Sequence, residues 1–76
     1  MTFEELKEIM IDTLGCDEEK ITEEASLAED LNIDSLDAVE LVMAIEEKIG
    51  VKIPDEDLAN LLTVSDIIDA VKKHQA

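Results

Sequence analysis

The spacing of the apolar residues constrains this chain most, because they recur every three or four positions in stretches that glycine or proline interrupts. This period matches the helical repeat of about 3.6 residues and not the alternation of a strand. The first stretch has its apolar residues at Phe3, Leu6, Met10 and Leu14. Thr2 and Glu5 have the spacing of a capping box, and Gly15 follows where a helix C-cap belongs. We therefore predict a first helix over residues 3–14.

Glycine and proline also bound the helices of the second half. Residues 35–49 keep the helical period and are followed by Gly50, and no further helix can begin before Pro54. The acidic residues after Pro54 suit the first turn of a short helix that leads into leucines at 58, 61 and 62. Thr63 is then the expected N-cap of a last helix. The inward residues of that helix are predicted to be Val64, Ile67, Ile68 and Val71.

Residues 16–34 connect the first two predicted helices without a regular period. The apolar residues spaced to fasten this connection to a core are Ile21, Leu27, Leu31 and Ile33. Ser26 and Glu29 can cap a short helical turn within it. The whole pattern predicts an all-α four-helix bundle with three longer helices, one short helix and a long loop between the first and second helices. We expect residues 1–76 to form a single domain.

The charge of the chain limits its partners. The formal net charge is −15, from 21 acidic residues against six basic residues, all of which are lysine. Nucleic acids and anionic membranes are bound by neutralising phosphates with Lys and Arg, so we expect neither as a partner. The charge favours basic protein partners, although a soluble protein without such partners can have the same composition.

Cys16 is the only cysteine and His74 the only histidine. A single cysteine cannot form an internal disulfide, and the first residues have no basic segment followed by an apolar run. We therefore expect a cytoplasmic protein. Neither Cys16 nor His74 has partners at metal-ligand spacing, so we expect no metal site and interpret both residues as incidental.

The predicted helix over residues 35–49 has two apolar faces. At about 100° per residue, one face is wide enough for a core and comprises Ala38, Leu41, Val42, Ile45 and Ile49. The other is an apolar strip of Leu36, Val39 and Met43, edged by Asp37, Glu40 and Glu47. A small domain has one core, so we predict that the strip is exposed and binds partners. The alternative is that a neighbouring helix or the long loop covers it.

Ser35 lies at the step from the long loop into this helix. Either Ser35 or Asp34 can be an ordinary N-cap. Ser35 is a poor catalytic nucleophile because no G-x-S-x-G motif surrounds it and His74 is remote in sequence. A helix N-terminus suits a phosphate-bearing serine. Because Asp34 and Asp37 repel a phosphodiester, they need another purpose, such as holding a divalent cation during attachment or binding a basic enzyme.

The sequence resembles a known family from Glu29 to Glu47 and again from Ile53 to Glu56. The most specific element is D-S-L-D-x-V-E-L-V-M, at Asp34 to Met43. These segments are similar to bacterial acyl carrier proteins of dissociated fatty acid synthesis, and the similarity covers essentially the whole chain. The resemblance implies a carrier and not an enzyme, and we expect a monomer.

The resemblance also implies roles for individual residues. Ser35 would receive covalent 4′-phosphopantetheine from coenzyme A through a Mg²⁺-dependent phosphopantetheinyl transferase, with Asp34 in the attachment motif. The arm would hold acyl chains as thioesters and present them to fatty acid synthesis enzymes with basic docking patches. The implied docking residues are Leu36, Asp37, Val39, Glu40, Met43 and Glu47. The implied acyl-pocket residues are Val42, Ile45, Ile53, Ala59 and Leu62.

Two departures from the family pattern are visible. Asn32 stands where the family often has glycine, and asparagine also tolerates left-handed backbone geometry. Leu27 and the apolar residues from 64 to 71 are aliphatic where the family often has aromatics, which affects the shape of the pocket. Two alternatives stay open: a specialised carrier for polyketide, nonribosomal peptide, lipid A or D-alanine chemistry, and an acidic helical adaptor without a prosthetic group.

Overall fold

The computed structural model describes residues 1–75, and this part of the chain forms four α-helices. The helices are α1 (Phe3–Leu14), α2 (Ser35–Ile49), α3 (Asp55–Leu58) and α4 (Val64–His74). Three of them are long and α3 is a single turn, so the predicted all-α bundle is confirmed, including the long loop between α1 and α2. The predicted bounds of the first two helices also agree with the structure.

The helix ends follow the local sequence. In α1 the Thr2 hydroxyl accepts a hydrogen bond from the Glu5 N–H at 3.2 Å, and the Glu5 carboxylate accepts one from the Thr2 N–H at 3.0 Å. Gly15 and Gly50 end α1 and α2 in the left-handed region, with φ of 66° and 76°. Thr63 caps α4 as predicted. Since these interactions connect residues close in sequence, a sequence pattern is enough to predict them.

The core lies between α1, α2 and α4 and is built from aliphatic and thioether side chains. Its most deeply buried members are Leu6, Met10, Leu41, Ile45, Val64, Ile67 and Val71. Within residues 1–75, no polar or charged residue is buried. The predicted core face of α2 is confirmed at Leu41, Val42 and Ile45, whereas Ala38 and Ile49 are only half-buried at its edge.

The long loop is fastened to the core by the residues expected to do so. Ile21, Leu27 and Ile33 are buried, and Leu31 is half-buried. The Leu27 N–H donates to the Leu62 carbonyl at 3.0 Å, which joins the loop to the segment before α4. Asn32 has a φ of 54°, so asparagine adopts the left-handed geometry for which the family often has glycine.

The loop also contains a turn that the sequence pattern did not reveal. Glu18–Lys20 form one turn of 3₁₀-helix, and the Asp17 carboxylate accepts a hydrogen bond from the Glu19 N–H at 3.1 Å. The acidic run at residues 17–19 is exposed, as expected of a solvated face, but its first residue also caps this turn.

None of the helices in residues 1–75 is both long enough and apolar enough to cross a membrane.

Candidate functional site

The structure of the start of α2 shows which of Asp34 and Ser35 is the helix N-cap, a question that the sequence left open. Asp34 is the N-cap, and its carboxylate accepts a hydrogen bond from the Asp37 N–H at 2.8 Å. The Asp37 carboxylate accepts one in return from the Asp34 N–H at 3.5 Å. The two acids therefore form a capping box, with Ser35 as the first residue of the helix proper. Ser35 is not the cap.

The hydroxyl of Ser35 is exposed and takes part in no side-chain hydrogen bond within residues 1–75. The other two serines differ from it. Ser26 is half-buried and its hydroxyl accepts a hydrogen bond from the Glu29 N–H at 3.2 Å, and Ser65 is half-buried on α4. Ser35 is therefore the serine that an enzyme can reach without disturbing the fold.

The backbone around Ser35 suits an anion. The capping box satisfies the N–H groups of Asp34 and Asp37. The N–H groups of Ser35 and Leu36, between them, have no hydrogen-bond partner in the described part of the chain. Free N–H groups and the positive end of the helix dipole favour a negative group at this position. A phosphate carried by Ser35 would have two backbone donors beside it.

Ser35 lies on the edge of a groove of about 740 Å³ between the start of α2, the loop around residues 26–29, and α3 with the residues after it. The apolar part of its lining includes Leu27, Ile33, Ala38, Leu58, Leu61 and Leu62. Acidic side chains at Glu29, Asp34 and Asp55 also border it. The groove can therefore receive a flexible arm with apolar groups, so the site fits a phosphopantetheine group.

The apolar strip on α2 is open to solvent. Leu36 is 80% exposed, Val39 43% and Met43 61%, so no neighbouring helix or loop covers it. Glu40 and Glu47 are also exposed, whereas Asp37 is half-buried within the capping box. The prediction of an exposed second face is confirmed, and the strip begins next to Ser35.

The five residues expected to line an acyl pocket do not lie together on one surface. Ala59 and Leu62 line the groove beside Ser35. Val42, Ile45 and Ile53 are 5%, 0% and 4% exposed and belong to the closed core. Leu58 and Leu61 also line the groove, although they were not among the residues expected in the pocket. Their helical spacing was visible, but nothing in the sequence indicated which neighbour they would face.

Cys16 lies behind the start of α2, in a smaller pocket of about 170 Å³ that also contains Asp30 and Asp37. Partial burial raises the pKa of the Cys16 thiol above its ordinary value, and the negative charge of Asp37 raises it further. The thiol is therefore less often a thiolate than a free cysteine is, and Cys16 is a weak nucleophile and a weak metal ligand.

His74 has a partner that the sequence did not reveal. Its Nε2 lies 2.5 Å from Oδ2 of Asp57 on α3, with side-chain exposures of 23% and 19%. This hydrogen bond lowers the pKa of the Asp57 carboxyl below its ordinary value, and the charge of Lys73 lowers it further. The expectation that His74 is incidental is therefore wrong: 17 residues separate the pair, and only the packing of α3 near the end of α4 brings them together.

Comparison with known proteins agrees with this geometry. Residues 4–71 match a family model described as a phosphopantetheine attachment site. The acyl carrier protein of Thermosynechococcus vestitus is 53% identical over 73 residues, which cover 96% of this chain and 90% of that protein. The acyl carrier protein of Sinorhizobium fredii is also 53% identical over 73 residues, covering 96% and 94% of the two chains. The chain therefore belongs to the acyl carrier protein family, whose members are phosphopantetheine-bearing carriers and not enzymes.

Proposed function

We propose that this protein carries acyl intermediates on 4′-phosphopantetheine attached to Ser35 and moves them between separate enzymes of fatty acid synthesis. The observation that carries the proposal is the free, exposed hydroxyl of Ser35 at the start of α2, on the edge of the groove. When bound, the prosthetic group supplies a thiol on which acyl groups are held as thioesters. The protein's own residues hold, shelter and present that arm.

The phosphodiester on Ser35 is stabilised by the free N–H groups of Ser35 and Leu36. Asp34 and Asp37 oppose it electrostatically, but their carboxylates already accept N–H hydrogen bonds in the capping box. These acids would serve a further purpose, either binding the basic surface of the phosphopantetheinyl transferase or holding a divalent cation during attachment.

The docking face consists of Leu36, Val39 and Met43 with the acids Asp37, Glu40 and Glu47. The apolar strip supplies contact area, and the acids orient partner enzymes with basic docking patches and speed their approach. Because the strip starts next to Ser35, a docked enzyme receives the arm close to its point of attachment. This arrangement suits short-lived contacts with several enzymes.

The acyl chain enters by the groove and reaches the core through it. Ala59 and Leu62 form part of the entrance, and Val42, Ile45 and Ile53 lie deeper. An entering chain has to displace the α3 side of the groove, since the deeper residues are buried in the core. Aliphatic side chains without large rings can repack around such a guest.

The same proposal includes the cellular location, the oligomeric state and the domain organisation of the protein. We place it in the cytoplasm as a monomer with one domain over residues 1–76. The lone cysteine and the strong negative charge support this assignment, because mutual repulsion opposes self-association.

The attachment is tested by intact mass. The unmodified protein is incubated with coenzyme A, Mg²⁺ and a broad phosphopantetheinyl transferase. We expect the mass to rise by one phosphopantetheine group in the wild type and in Ser65→Ala, and to stay unchanged in Ser35→Ala. Ser65→Ala is the matched control because it removes a hydroxyl remote from the groove. A gain that persists in Ser35→Ala would place the arm elsewhere.

The rival carrier pathways differ in their enzymes. Once loaded, the protein is offered to a ketoacyl synthase of fatty acid synthesis and to acyltransferases of lipid A and D-alanine chemistry. Faster turnover with the fatty acid enzyme supports the proposed pathway, and faster turnover with another enzyme assigns a specialised carrier. The family match already argues against an adaptor without a prosthetic group.

A further inference from the structure

The segment from Asp55 to Leu62 forms one side of the groove and contains no buried residue. We call it the groove wall. No residue from 54 to 63 is buried, whereas Ile53 before it is 4% exposed and Val64 after it is fully buried. Segments with few buried apolar contacts open at low cost.

Both ends of the groove wall are held by hydrogen bonds to the backbone. At one end the Ile53 N–H donates to the Glu46 carboxylate at 2.8 Å. At the other end the Leu62 N–H donates to the Asp66 carboxylate at 3.0 Å, and the Leu62 carbonyl accepts from the Leu27 N–H at 3.0 Å. These contacts fix where the wall begins and ends but not its middle.

The middle of the groove wall is held to α4 by the Asp57–His74 pair. It is the one hydrogen bond between two side chains within residues 1–75. Asp57 and Asn60 face a cleft against α4 that also contains Asp69 and Lys73, whereas Leu58 and Ala59 face the groove. The wall therefore lies between the groove and α4, and the pair sets the distance between the wall and α4.

We propose that the Asp57–His74 pair is a latch that holds the groove wall against α4 and thereby limits how far the groove beside Ser35 opens. Without the latch, the half-buried Leu58 and Leu61 provide the side-chain contacts that hold the middle of the wall to the core. The two ends stay fixed, so the loosening is confined to α3 and the residues just after it. The consequence for acyl chains rests on the proposed function, but the latch itself does not.

The latch is tested first on the unmodified protein by amide hydrogen exchange. The reporters are the N–H groups of Asn60 and Leu61, which donate to carbonyls of α3 at 3.0 and 3.2 Å. We expect Asp57→Ala and His74→Ala each to raise their exchange rates roughly two- to fivefold. The double variant should exchange no faster than either single variant, because the two side chains act as one unit.

Matched controls separate the latch from general effects of charge. Glu56→Ala removes an exposed acid from α3, and Lys72→Ala removes an exposed cation from the last turn of α4. We expect neither to change the exchange of Asn60 and Leu61. Unchanged rates in the latch variants, additive rates in the double variant, or an equal increase at Ile53 and Ile68 would each overturn the proposal.

The effect on the groove is tested with a hexanoyl group loaded on the arm. We expect the methyl signals of Val42 and Ile45 to shift further on loading in His74→Ala than in the wild type or Lys72→Ala, since a freer wall admits the chain more often. Equal shifts in all three proteins contradict the gating role. If Ser35 does not accept the arm, the proposed function fails, and the exchange rates alone then decide whether the latch exists.

Discussion

At the scale of the residue, neighbouring side chains at the start of α2 have separate tasks. Asp34 ends the loop and caps the helix, so the hydroxyl of Ser35 is left free for chemistry. A serine that capped the helix itself would have its oxygen engaged by a backbone N–H. The acid before the serine therefore keeps the proposed attachment point accessible as well as marking the motif.

This division of tasks predicts the effect of removing the cap. Asp34→Ala should lower the free energy of unfolding by about 1 kcal/mol, because the Asp37 N–H loses its acceptor at the helix terminus. Asp34→Asn should restore most of the loss, since asparagine is also a good N-cap. Urea unfolding followed by circular dichroism measures both variants. Equal losses in the two variants would show that the charge, and not the cap, stabilises the helix.

At the scale of the element, α2 has one face in the core and another that is open to solvent. Leu41 and Ile45 are almost fully buried, and the strip of Leu36, Val39 and Met43 is open to solvent. An exposed apolar strip bordered by acids contributes little to the stability of the isolated protein. Its exposure and its position beside Ser35 are the reasons that we propose it as the docking face.

The docking role predicts the result of reversing one charge. Glu40→Lys should weaken binding to a ketoacyl synthase roughly five- to tenfold at low salt and leave the melting temperature nearly unchanged. Glu8→Lys is the control, because Glu8 is an equally exposed acid on α1. Binding is measured by surface plasmon resonance at two salt concentrations. If both variants weaken binding equally, the enzyme responds to the overall charge of the protein, and the α2 face is not a specific docking site.

At the scale of the whole molecule, the net charge of −15 opposes the compact state. The ion pairs between described side chains are few: Lys7–Glu18 at 3.6 Å and the Asp57–His74 pair. Most of the acids are therefore solvated and repel one another. Stability has to come from the aliphatic core and the helix caps.

Repulsion of this kind predicts a response to divalent cations. Millimolar Mg²⁺ should raise the melting temperature near neutral pH, because ions that gather around the acidic folded state stabilise it by mass action. A gain of about 1 kcal/mol corresponds to roughly 4–8 °C for a domain of this size. Calorimetry with NaCl at matched ionic strength is the control. An equal rise with NaCl would reduce the effect to general screening.

The sequence by itself determined the parts of this protein that depend on near neighbours. Helical period and the glycines at 15 and 50 predicted α1 and α2, and a capping box predicted the start of α1, since each of these signals acts within one or two turns. The two faces of α2 followed from the same period. The motif from Asp34 to Met43 pointed to the family and to Ser35 for the same reason.

Only the tertiary structure decided contacts between residues distant in the chain. It brought Asp57 to His74 across 17 residues, placed Leu58 and Leu61 on the groove, and left Val42 and Ile45 out of its lining. No local pattern encodes these outcomes, because the neighbour that a helix face meets depends on how the whole chain packs around one core.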